Sequence, residues 1–436
     1  MTEPTKEWVL GPGEELRFEV SFKKTIEVRL KSGHAEYFGT ELGPEAVYRL
    51  SGENGAIFSW QGCVLAVTGA CESAYVADET PMDTYVNVHM SLQQQRVQAR
   101  NEQDANAAPR VMIVGPEDCG KTSLARLLVN YAVRMGERPM FVSLDPMEAL
   151  MTVSGTVSAL RVAKTVDIES GFMGYAASAS HGAGETPLVW QFGHDNPESN
   201  ASLFNILVDR AAEAIQRRGE SNGDAYSGLV VDTRGFSDVA QNHTIEHAIA
   251  ALGINVLLVV GNERMFSMYS QRLDITVLKA PRSGGTVDRS ATFRQQINAR
   301  TVRRYFYGTD TERVSSFSTV VNFQEIRILR VGEDTVAPSS TLPLGEARKV
   351  TDTTVLPVEA DDSLIHSILA VTDAPLDAVA KPEDAERVVV GIQAIGFISV
   401  TKIEMDKKRM IVLSPVPGRL PKQVLLYGNT KWMETI

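Results

Sequence analysis

Residues 114–128 read VGPEDCGKTSLARLL. Gly115, four further residues and then Gly120, Lys121 and Thr122 give the spacing of a phosphate-binding loop. In such a loop the glycines let backbone N–H groups surround the β-phosphate, the lysine reaches the β- and γ-phosphates, and the threonine hydroxyl binds Mg²⁺. The stretch therefore predicts a bound nucleoside triphosphate, and it leaves open whether the protein consumes that nucleotide.

The residues on either side of this loop predict an α/β fold. Residues 111–114, VMIV, form a short apolar run of the kind that is buried in a parallel sheet. Residues 121–135 carry apolar side chains at steps of three and four, which predicts an amphipathic helix that ends near Gly136. A second strand pattern, MFVSLD, follows at residues 140–145. The loop therefore lies inside a βαβ unit.

Strand and helix patterns continue to alternate after this unit. The predicted strands are PLVWQFG at 187–193, GLVVDT at 228–233 and INVLLVVG at 254–261, and the predicted helices are ASLFNILVDRAAEAIQRR at 201–218 and NHTIEHAIAALG at 242–253. This alternation is typical of a doubly wound parallel sheet, which binds ligands at the carboxyl ends of its strands. We therefore predict a phosphate-loop α/β domain over residues 109–308.

The flanking regions have β patterns instead. Residues 18–30 alternate apolar and polar side chains, and the residues from 56 onward repeat the pattern between glycine turns. They predict an N-terminal all-β sandwich or barrel domain over residues 1–90, followed by a linker helix over 91–108. Strand patterns return in VVNFQEIRILRV at 320–331 and RVVVGIQAIGFISVTKIEM at 387–405, so we predict a small C-terminal β-rich domain over 309–436.

Composition limits the function classes. The chain has 436 residues, too many for one typical core, and 43% of them are hydrophobic. No apolar run is long enough to cross a bilayer and the first residues lack a signal-peptide pattern, so we expect a soluble intracellular protein without a membrane partner. The net charge of −11 opposes RNA, which would need a local basic patch or a partner protein. Cys63, Cys71 and Cys119 lack metal-ligand spacing and are interpreted as structural thiols.

Other polar residues fall near the predicted nucleotide. Asp145 and Asp232 end two strands, where they are placed to orient Mg²⁺ or accept a proton; helix-capping or turn aspartates are the alternative. Phe236 is a candidate platform for stacking a base, with core packing as its alternative. An arginine-rich segment that looks helical is suited to form a lid over a triphosphate or to follow an RNA backbone, or it is a solvated face; its members are Arg289, Arg294, Arg300, Arg303 and Arg304.

Several motifs, in order along nearly the whole chain, resemble one family. They are ELRFEV, AEYFGTEL, WQGC, VGPEDCGKTS, SGTVSAL, LVWQFG, RSGGTVDRS, RRYFYG and VLSPVPGRLP. Together they resemble the polynucleotide 5′-hydroxyl kinase family, specifically the subunit of the eukaryotic pre-mRNA cleavage and polyadenylation machinery. The resemblance implies the same three domains, with ATP and Mg²⁺ bound by the central one.

The resemblance also implies roles for individual residues. It places Glu15 near the adenine, and Asn54 where active relatives have a lysine that contacts the nucleotide. The implied phosphate-binding residues are Asp118, Cys119, Gly120, Lys121, Thr122 and Ser123. Asp145 and Asp232, which end two predicted strands, and Thr122 of the phosphate loop are together the expected metal site. The implied setting is the nucleus, with protein subunits of the cleavage factor as partners, especially the one that binds the polymerase C-terminal repeat, and with mostly indirect contact to pre-mRNA.

The chain departs from the family at positions that matter for catalysis. Active kinases carry an Asp-x-Asp-x-Gly-Gln signature; here Ser143 replaces the first aspartate, and Met147 and Glu148 replace Gly-Gln. Met147 and Glu148 are both expected to raise the energy barrier to phosphoryl transfer. Met147 does so by its bulk, and Glu148 by adding negative charge beside a phosphate. Lid arginines of active members are missing too, because Gln295, Asn298 and Thr301 stand at their places, and Phe236 replaces a stacking tryptophan.

These departures favour a fungal-type member that holds ATP as a scaffold subunit and has no active catalytic residue. An active RNA 5′-hydroxyl kinase is the alternative, with Lys121, Thr122 and Asp145 as its catalytic residues, all of which are present. A third possibility is a slow NTPase switch that uses the DTRGF loop at residues 232–236, supported only by the neighbourhood of Asp232.

Overall fold

A computed structural model describes residues 4–171, 186–222, 224–236, 242–309, 313–332, 353–379, 381–420 and 422–434. The chain begins with a β-sandwich. Its strands are β1 (Thr5–Leu10), β2 (Glu14–Val20), β3 (Ile26–Gly33), β4 (Glu36–Tyr37), β5 (Thr40–Glu41), β6 (Val47–Leu50), β7 (Glu53–Ser59), β8 (Cys63–Thr68) and β9 (Ser73–Ala77). One sheet has the order β1-β8-β3-β6 and the other β5-β4-β7-β2-β9, with side chains such as Leu16, Ile26 and Ile57 buried between them. The expected N-terminal sandwich is confirmed.

The helix α1 (Met82–Glu102) joins the sandwich to the central sheet. Met82, Tyr85 and Leu92 pack into a core cluster of the central domain. The buried Arg96 donates from Nε to Ser227 O at 3.0 Å, which fixes the helix to the domain that follows it. The domain limits at residues 90, 108 and 308 stay predictions.

The central domain contains a seven-stranded sheet with helices on both faces. Its elements are β10 (Arg110–Val114), α2 (Lys121–Arg134), β11 (Met140–Leu144), β12 (Thr156–Arg161), β13 (Leu188–Gln191), α3 (Ala201–Asn222), β14 (Leu229–Thr233), α4 (Asn242–Ala251), β15 (Val256–Val260), α5 (Glu263–Arg272), β16 (Thr276–Ala280) and α6 (Ala291–Tyr307). The strand order is β13-β12-β11-β14-β10-β15-β16. The strands β11, β14, β10, β15 and β16 pair in parallel. At the other edge, β12 pairs antiparallel with both β11 and β13, so among the described strands of this sheet it alone runs in the opposite direction.

This sheet confirms the α/β interpretation and adds elements that the patterns did not predict, namely β12, α5 and β16. β12 is buried on both faces, so it lacks a period of two. β16 is a five-residue strand at the edge of the sheet and is half exposed. Among the helices of the described residues, none is long and apolar enough to cross a membrane.

The C-terminal domain is built on a second seven-stranded sheet. Its elements are β17 (Phe317–Asn322), β18 (Ile326–Val331), β19 (Val355–Pro357), β20 (Ser367–Pro375), α7 (Pro382–Val389), β21 (Ala394–Glu404), β22 (Arg409–Ser414) and β23 (Gln423–Lys431), in the sheet order β17-β22-β21-β20-β23-β18-β19. The β-rich domain is confirmed, with one correction. The strand expected from residue 387 begins at Ala394, because Pro382 opens a helix that continues to Val389.

The helix α6 touches all three domains. Near its start, the Phe293 ring packs edge-to-face against Phe22 of the sandwich, with 5.2 Å between ring centroids. At its end, Tyr305 and Phe306 pack against Phe397 and Trp432 of the C-terminal domain. The position of α6 over the central domain is therefore fixed from both sides.

Candidate functional site

The phosphate loop, residues 115–122, lies between β10 and α2 as expected. Gly120 precedes the helix with φ of 90°, a left-handed conformation that favours glycine. A Cβ atom at Gly120 would also lie 3.1 Å from Thr286 Cγ2. The loop therefore presents the N-terminus of α2, whose free N–H groups attract anions.

A cavity of about 290 Å³ opens beside this loop and is lined by residues from the sandwich, the central domain and α6. It brings together most of the predicted nucleotide-binding residues: Glu15, Asn54, Asp118, Gly120, Lys121, Thr122, Ser123 and Asp145. Cys119 does not line it, because its side chain is 1% exposed within the core, and burial raises the pKa of its thiol. The Cys119 side chain is therefore not available to a phosphate in the cavity.

Two features of the cavity were missed by the sequence patterns. Arg17 donates from Nε to Glu15 Oε1 at 2.6 Å, which fixes the orientation of that buried carboxylate. Arg126 also lines the cavity, and a signal for it exists, because it follows Thr122 by four residues and therefore lies on the same face of α2.

Lys121 is 6% exposed and donates from Nζ to the backbone oxygen of Pro116 at 2.6 Å. Its ammonium group therefore lies along the rim of the loop. One backbone carbonyl is its hydrogen-bond partner, and no carboxylate of the described residues forms an ion pair with it. Lys121 lines the cavity together with Gly120, Thr122 and Ser123 of the loop.

Asp232 lies behind Thr122 and does not line the cavity itself. Thr122 Oγ1 donates to Asp232 Oδ2 at 2.7 Å, while Oδ1 is buried with no hydrogen-bond partner among the described residues. Burial raises the pKa of Asp232 to about 7, and the nearby Asp145 and Glu148 add to this rise. A buried, partly unsatisfied carboxylate beside a threonine hydroxyl is suited to a hard cation such as Mg²⁺.

Asp145 is also buried, and burial raises its pKa to about 6, with the charge of Glu148 as a further cause. Its Oδ1 accepts a hydrogen bond from Met147 N at 2.9 Å, which is the geometry of a turn aspartate. Asp145 can therefore stabilise the turn and also bind a metal ion, because the turn uses only one of its two carboxylate oxygens. No three His, Cys, Asp or Glu side chains of the described residues form a complete metal site, so water or phosphate oxygens would supply the rest.

Two arginines at the start of the arginine-rich segment, Arg289 and Arg294, form what we call the lid pair. Both guanidinium groups bind the same two carboxylates, those of Asp118 and Glu148. Arg289 lies 2.9 Å from Asp118 Oδ1 and 2.7 Å from Glu148 Oε1, and Arg294 lies 2.6 Å from Asp118 Oδ2 and 3.0 Å from Glu148 Oε1. The two carboxylate side chains are only 7% and 11% exposed. Ion pairs this enclosed are stronger than surface pairs.

The effect of the lid pair is visible in the pKa of Asp118. Burial alone raises that pKa, but hydrogen bonds and charge from Arg289 and Arg294 lower it below its ordinary value overall. Glu148 was expected beside a phosphate; it lines the cavity, and its carboxylate pairs with both arginines. Four charges therefore cancel at this end of the cavity.

The remaining arginine-rich residues have different positions. Arg289 precedes α6 instead of lying on it, which corrects the helical interpretation of that residue. Arg300 donates from Nη1 to the backbone oxygen of Ser51 and lies over the Phe22 ring, while Arg304 lines the cavity and Arg303 is exposed. Phe236 is 5% exposed and belongs to the central core, so it packs in the core and is not an open platform for a base.

Family models match all three parts of the chain. Residues 115–308 match the P-loop domain of the mRNA cleavage and polyadenylation factor CLP1. Residues 9–99 match the N-terminal beta-sandwich domain of polyadenylation factor, and residues 314–434 match the pre-mRNA cleavage complex II protein Clp1.

Individual relatives match over nearly the whole length. A protein named CLP1 homolog from Nematostella vectensis is 36% identical over 438 residues, covering 99% of this chain and 98% of the relative. The human protein named polyribonucleotide 5′-hydroxyl-kinase Clp1 is 35% identical over 436 residues, covering 99% of this chain and 97% of the human protein.

The fold is that of solved Clp1p structures. One describes the interface between Pcf11p and Clp1p and the loss of ATP in a point mutant; its TM-score is 0.86 at 22% identity, covering 99% of this chain and all of the other. Another, of the wild-type Clp1p–Pcf11p complex, has a TM-score of 0.85 at 21% identity and covers 100% of both chains.

Proposed function

Since the chain belongs to the Clp1 family of mRNA cleavage and polyadenylation factors, we propose that it is an ATP-binding scaffold subunit of a pre-mRNA 3′-end cleavage factor, in which ATP is held and not consumed. Its place of action is then the nucleus. In this function ATP keeps the sandwich and the central domain together, because residues of both line one cavity. A ligand that binds only the folded state stabilises it by several kcal/mol when its concentration is far above Kd.

The observation that carries this proposal is the pairing of Arg289 and Arg294 with Glu148 and Asp118. Phosphoryl transfer depends on cations that stabilise the charge of the transferring group, and one supplied arginine is worth about 10³ to 10⁵ in rate. Arginines already neutralised by two carboxylates contribute far less to such a transition state. Met147 at the Gly position of the active signature acts in the same direction.

For the nucleotide itself, we propose that Gly120, Lys121, Thr122 and Ser123, with the backbone of Asp118 and Cys119, bind the phosphates. Glu15 and Asn54 lie on the sandwich side of the same cavity. Glu15 is assigned to the adenine, and Asn54 to the position from which a lysine of active relatives contacts the nucleotide. Mg²⁺ is assigned to Thr122, Asp145 and Asp232, where it would neutralise phosphate charge. The unpartnered Oδ1 of Asp232 fits that assignment.

For partners, we propose protein subunits of the cleavage factor, and first the one related to Pcf11p, because the solved Clp1p structures of this fold contain that protein. We take this to be the subunit that also binds the polymerase C-terminal repeat. With a net charge of −11, the chain suits basic protein segments better than RNA. Contact with pre-mRNA is then mostly indirect.

The second candidate function is an active polynucleotide 5′-hydroxyl kinase. The observation in its favour is that Lys121, Thr122 and Asp145 line one cavity. Curated relatives at 35% identity carry the kinase name.

The two functions differ in what happens to bound ATP. The protein is purified without added nucleotide and denatured, and the released nucleotide is identified; the native protein is then incubated with γ-labelled ATP and a 5′-hydroxyl RNA. We expect stoichiometric intact ATP and no label on RNA. Label that reaches the RNA with wild-type protein, but not with Lys121→Ala, would establish the kinase and overturn the scaffold function.

A further inference from the structure

A second cationic region lies in the same cavity, away from the phosphate loop. It is formed where the sandwich, α2 and α6 meet residues 170–171. Its lining residues are Glu53, Arg126, Ser170, Gly171, Arg300 and Arg304. We call it the inner chamber. Arg300 and Arg304 belong to the arginine-rich segment, and the other four residues were not predicted to bind ATP or Mg²⁺.

Arg126 is the central group of the inner chamber. Its side chain comes from α2 and the residue is 7% exposed. Both Nε and Nη2 are buried, and neither has a hydrogen-bond partner in the described part of the chain. The guanidinium group is held over the rings of Tyr37 and Phe38, each with its centroid 5.3 Å away. Its position is therefore fixed while two of its donor sites are unused.

A buried charge with unused donors is unfavourable unless an opposite charge or an acceptor binds to it. The lid pair has two carboxylates for two guanidinium groups. At Arg126 the carboxylate on the other side of the chamber is Glu53, and it makes no hydrogen bond to Nε or Nη2. The inner chamber is therefore prepared for an acceptor that residues 4–171 and the other described parts of the chain do not supply.

A further donor lines the same region. Arg300 uses Nη1 for the backbone oxygen of Ser51, but its Nε is buried without a partner in the described residues. Arg126 and Arg300 come from α2 and α6, and both residues line the cavity. The Tyr37 ring lies under the Arg126 guanidinium group, and burial and the nearby Glu53 raise the pKa of its hydroxyl well above the ordinary value.

Space for a ligand is kept by Gly171. Its φ is +60°, and a Cβ atom there would lie 3.3 Å from Arg126 Nη1 and 3.7 Å from Glu53 Oε1. A side chain at this position would therefore occupy the region between the two groups. With Arg126 and Arg300 opposed by Glu53 alone among these groups, the site keeps a net positive charge.

We propose that the inner chamber is a second oxyanion site that binds one phosphate group, separate from the triphosphate on the phosphate loop. Two guanidinium groups from different elements match the several oxygens of a phosphate, and planar N–H forks bind it in a bidentate manner. Because Arg126 lies at the buried end of the chamber, the group that reaches it is free inorganic phosphate or the terminal phosphate of a polynucleotide. The proposal does not depend on whether the protein is a scaffold or a kinase.

The test uses the full-length protein saturated with ATP and Mg²⁺, so that the phosphate loop is occupied. Inorganic phosphate is titrated, and binding is followed by calorimetry and by the rise in Tm. We expect saturable binding of one phosphate per chain. In Arg126→Gln the affinity falls at least about tenfold, since a charge-assisted hydrogen bond is lost, while the ATP content stays equal to that of wild type. The control is Arg29→Gln, which removes an exposed arginine of the sandwich and leaves phosphate binding unchanged.

A second arm distinguishes the two sources. Oligonucleotides of one sequence, with a 5′-phosphate or a 5′-hydroxyl, compete against inorganic phosphate; competition by the phosphorylated form alone identifies a polynucleotide end, and competition by neither identifies free phosphate. If Arg126→Gln does not fold, Arg300→Gln is measured in its place, with the same expected loss. Absence of saturable phosphate binding in the wild type, or equal binding by wild type and both variants, would overturn the proposal.

Discussion

At the phosphate-loop end of the cavity, Lys121 has one backbone oxygen as its partner in the described residues, and Thr122 donates to a carboxylate whose second oxygen has no hydrogen-bond partner among them. At the lid end, Arg289 and Arg294 each bind the carboxylates of Asp118 and Glu148. In the proposed function, the first arrangement leaves positive charge and ligand atoms available to a nucleotide, and the second neutralises groups that would otherwise act on its γ-phosphate. We therefore expect nucleotide binding and phosphoryl transfer to depend on different residues of one cavity, so that one can be lost without the other.

The largest expected effect is at the phosphate-loop end. Lys121→Ala removes the ammonium group and should cost about 2–3 kcal/mol of ATP binding, roughly a hundredfold in Kd. The nucleotide content of purified protein measures this loss. Lys164→Ala, an exposed lysine outside the cavity, is the control and should retain ATP. If Lys121→Ala still purified with one ATP per chain, the two ends would not differ as described.

At the lid end, Glu148→Gln keeps the shape of the side chain and removes its charge. Each lid arginine then loses one of its anionic partners, so label from γ-labelled ATP should become detectable on a 5′-hydroxyl RNA, in contrast to wild type. Glu117→Gln is the matched control, because Glu117 is exposed and lies 3.7 Å from Arg294. If Glu148→Gln transferred no more label to RNA than wild type, Glu148 would not be the cause of the low phosphoryl transfer.

Mg²⁺ binding at the phosphate-loop end should depend on pH. Burial raises the pKa of Asp145 to about 6 and that of Asp232 to about 7, so both carboxyl groups are increasingly protonated as pH falls below these values. Mg²⁺ must displace those protons, and its affinity for ATP-loaded protein should fall about tenfold from pH 8 to pH 6. Titration of Mg²⁺ at several pH values measures this, and Asp232→Asn should flatten the profile. A flat profile in the wild type would contradict the metal assignment.

The smallest effect concerns how α6 is held over the cavity. Phe22→Ala removes a ring that packs against Phe293 at 5.2 Å and lies under Arg300 at 5.1 Å. We expect a loss of about 1 kcal/mol and a dissociation rate of ATP a few times faster. Phe317→Ala, a phenylalanine of the C-terminal sheet that is 39% exposed, is the control for thermal stability. An unchanged dissociation rate in Phe22→Ala would mean that this contact does not hold α6 over the nucleotide.

Local patterns were enough to predict the phosphate loop, the strands around it and the three-part fold, because glycine spacing and hydrophobic period act within a few residues. They were not enough for the lid pair. Its contacts join Asp118, Glu148 and residues 289–294, which are far apart in the chain, so the ion pairs depend on where α6 is fixed. The inner chamber depends in the same way on Glu53, Arg126 and Arg300, which β7, α2 and α6 bring together.

The helix at residues 382–389 shows a different limit. The apolar run at 388–390 matched a strand pattern, and the helix signal lay in the preceding proline. Short apolar runs do not distinguish helix from strand by period alone. The sequence patterns also missed β16. This strand is half exposed at the edge of its sheet, so its burial depends on tertiary position.

The most direct measurement of the central claim is an experimental structure of the protein with ATP and Mg²⁺ bound. The account predicts that Arg289 and Arg294 remain about 3 Å from the carboxylate of Glu148 while the triphosphate lies on the phosphate loop. Arginines that leave Glu148 and bind the γ-phosphate would contradict it, because the lid pair would then be available for phosphoryl transfer.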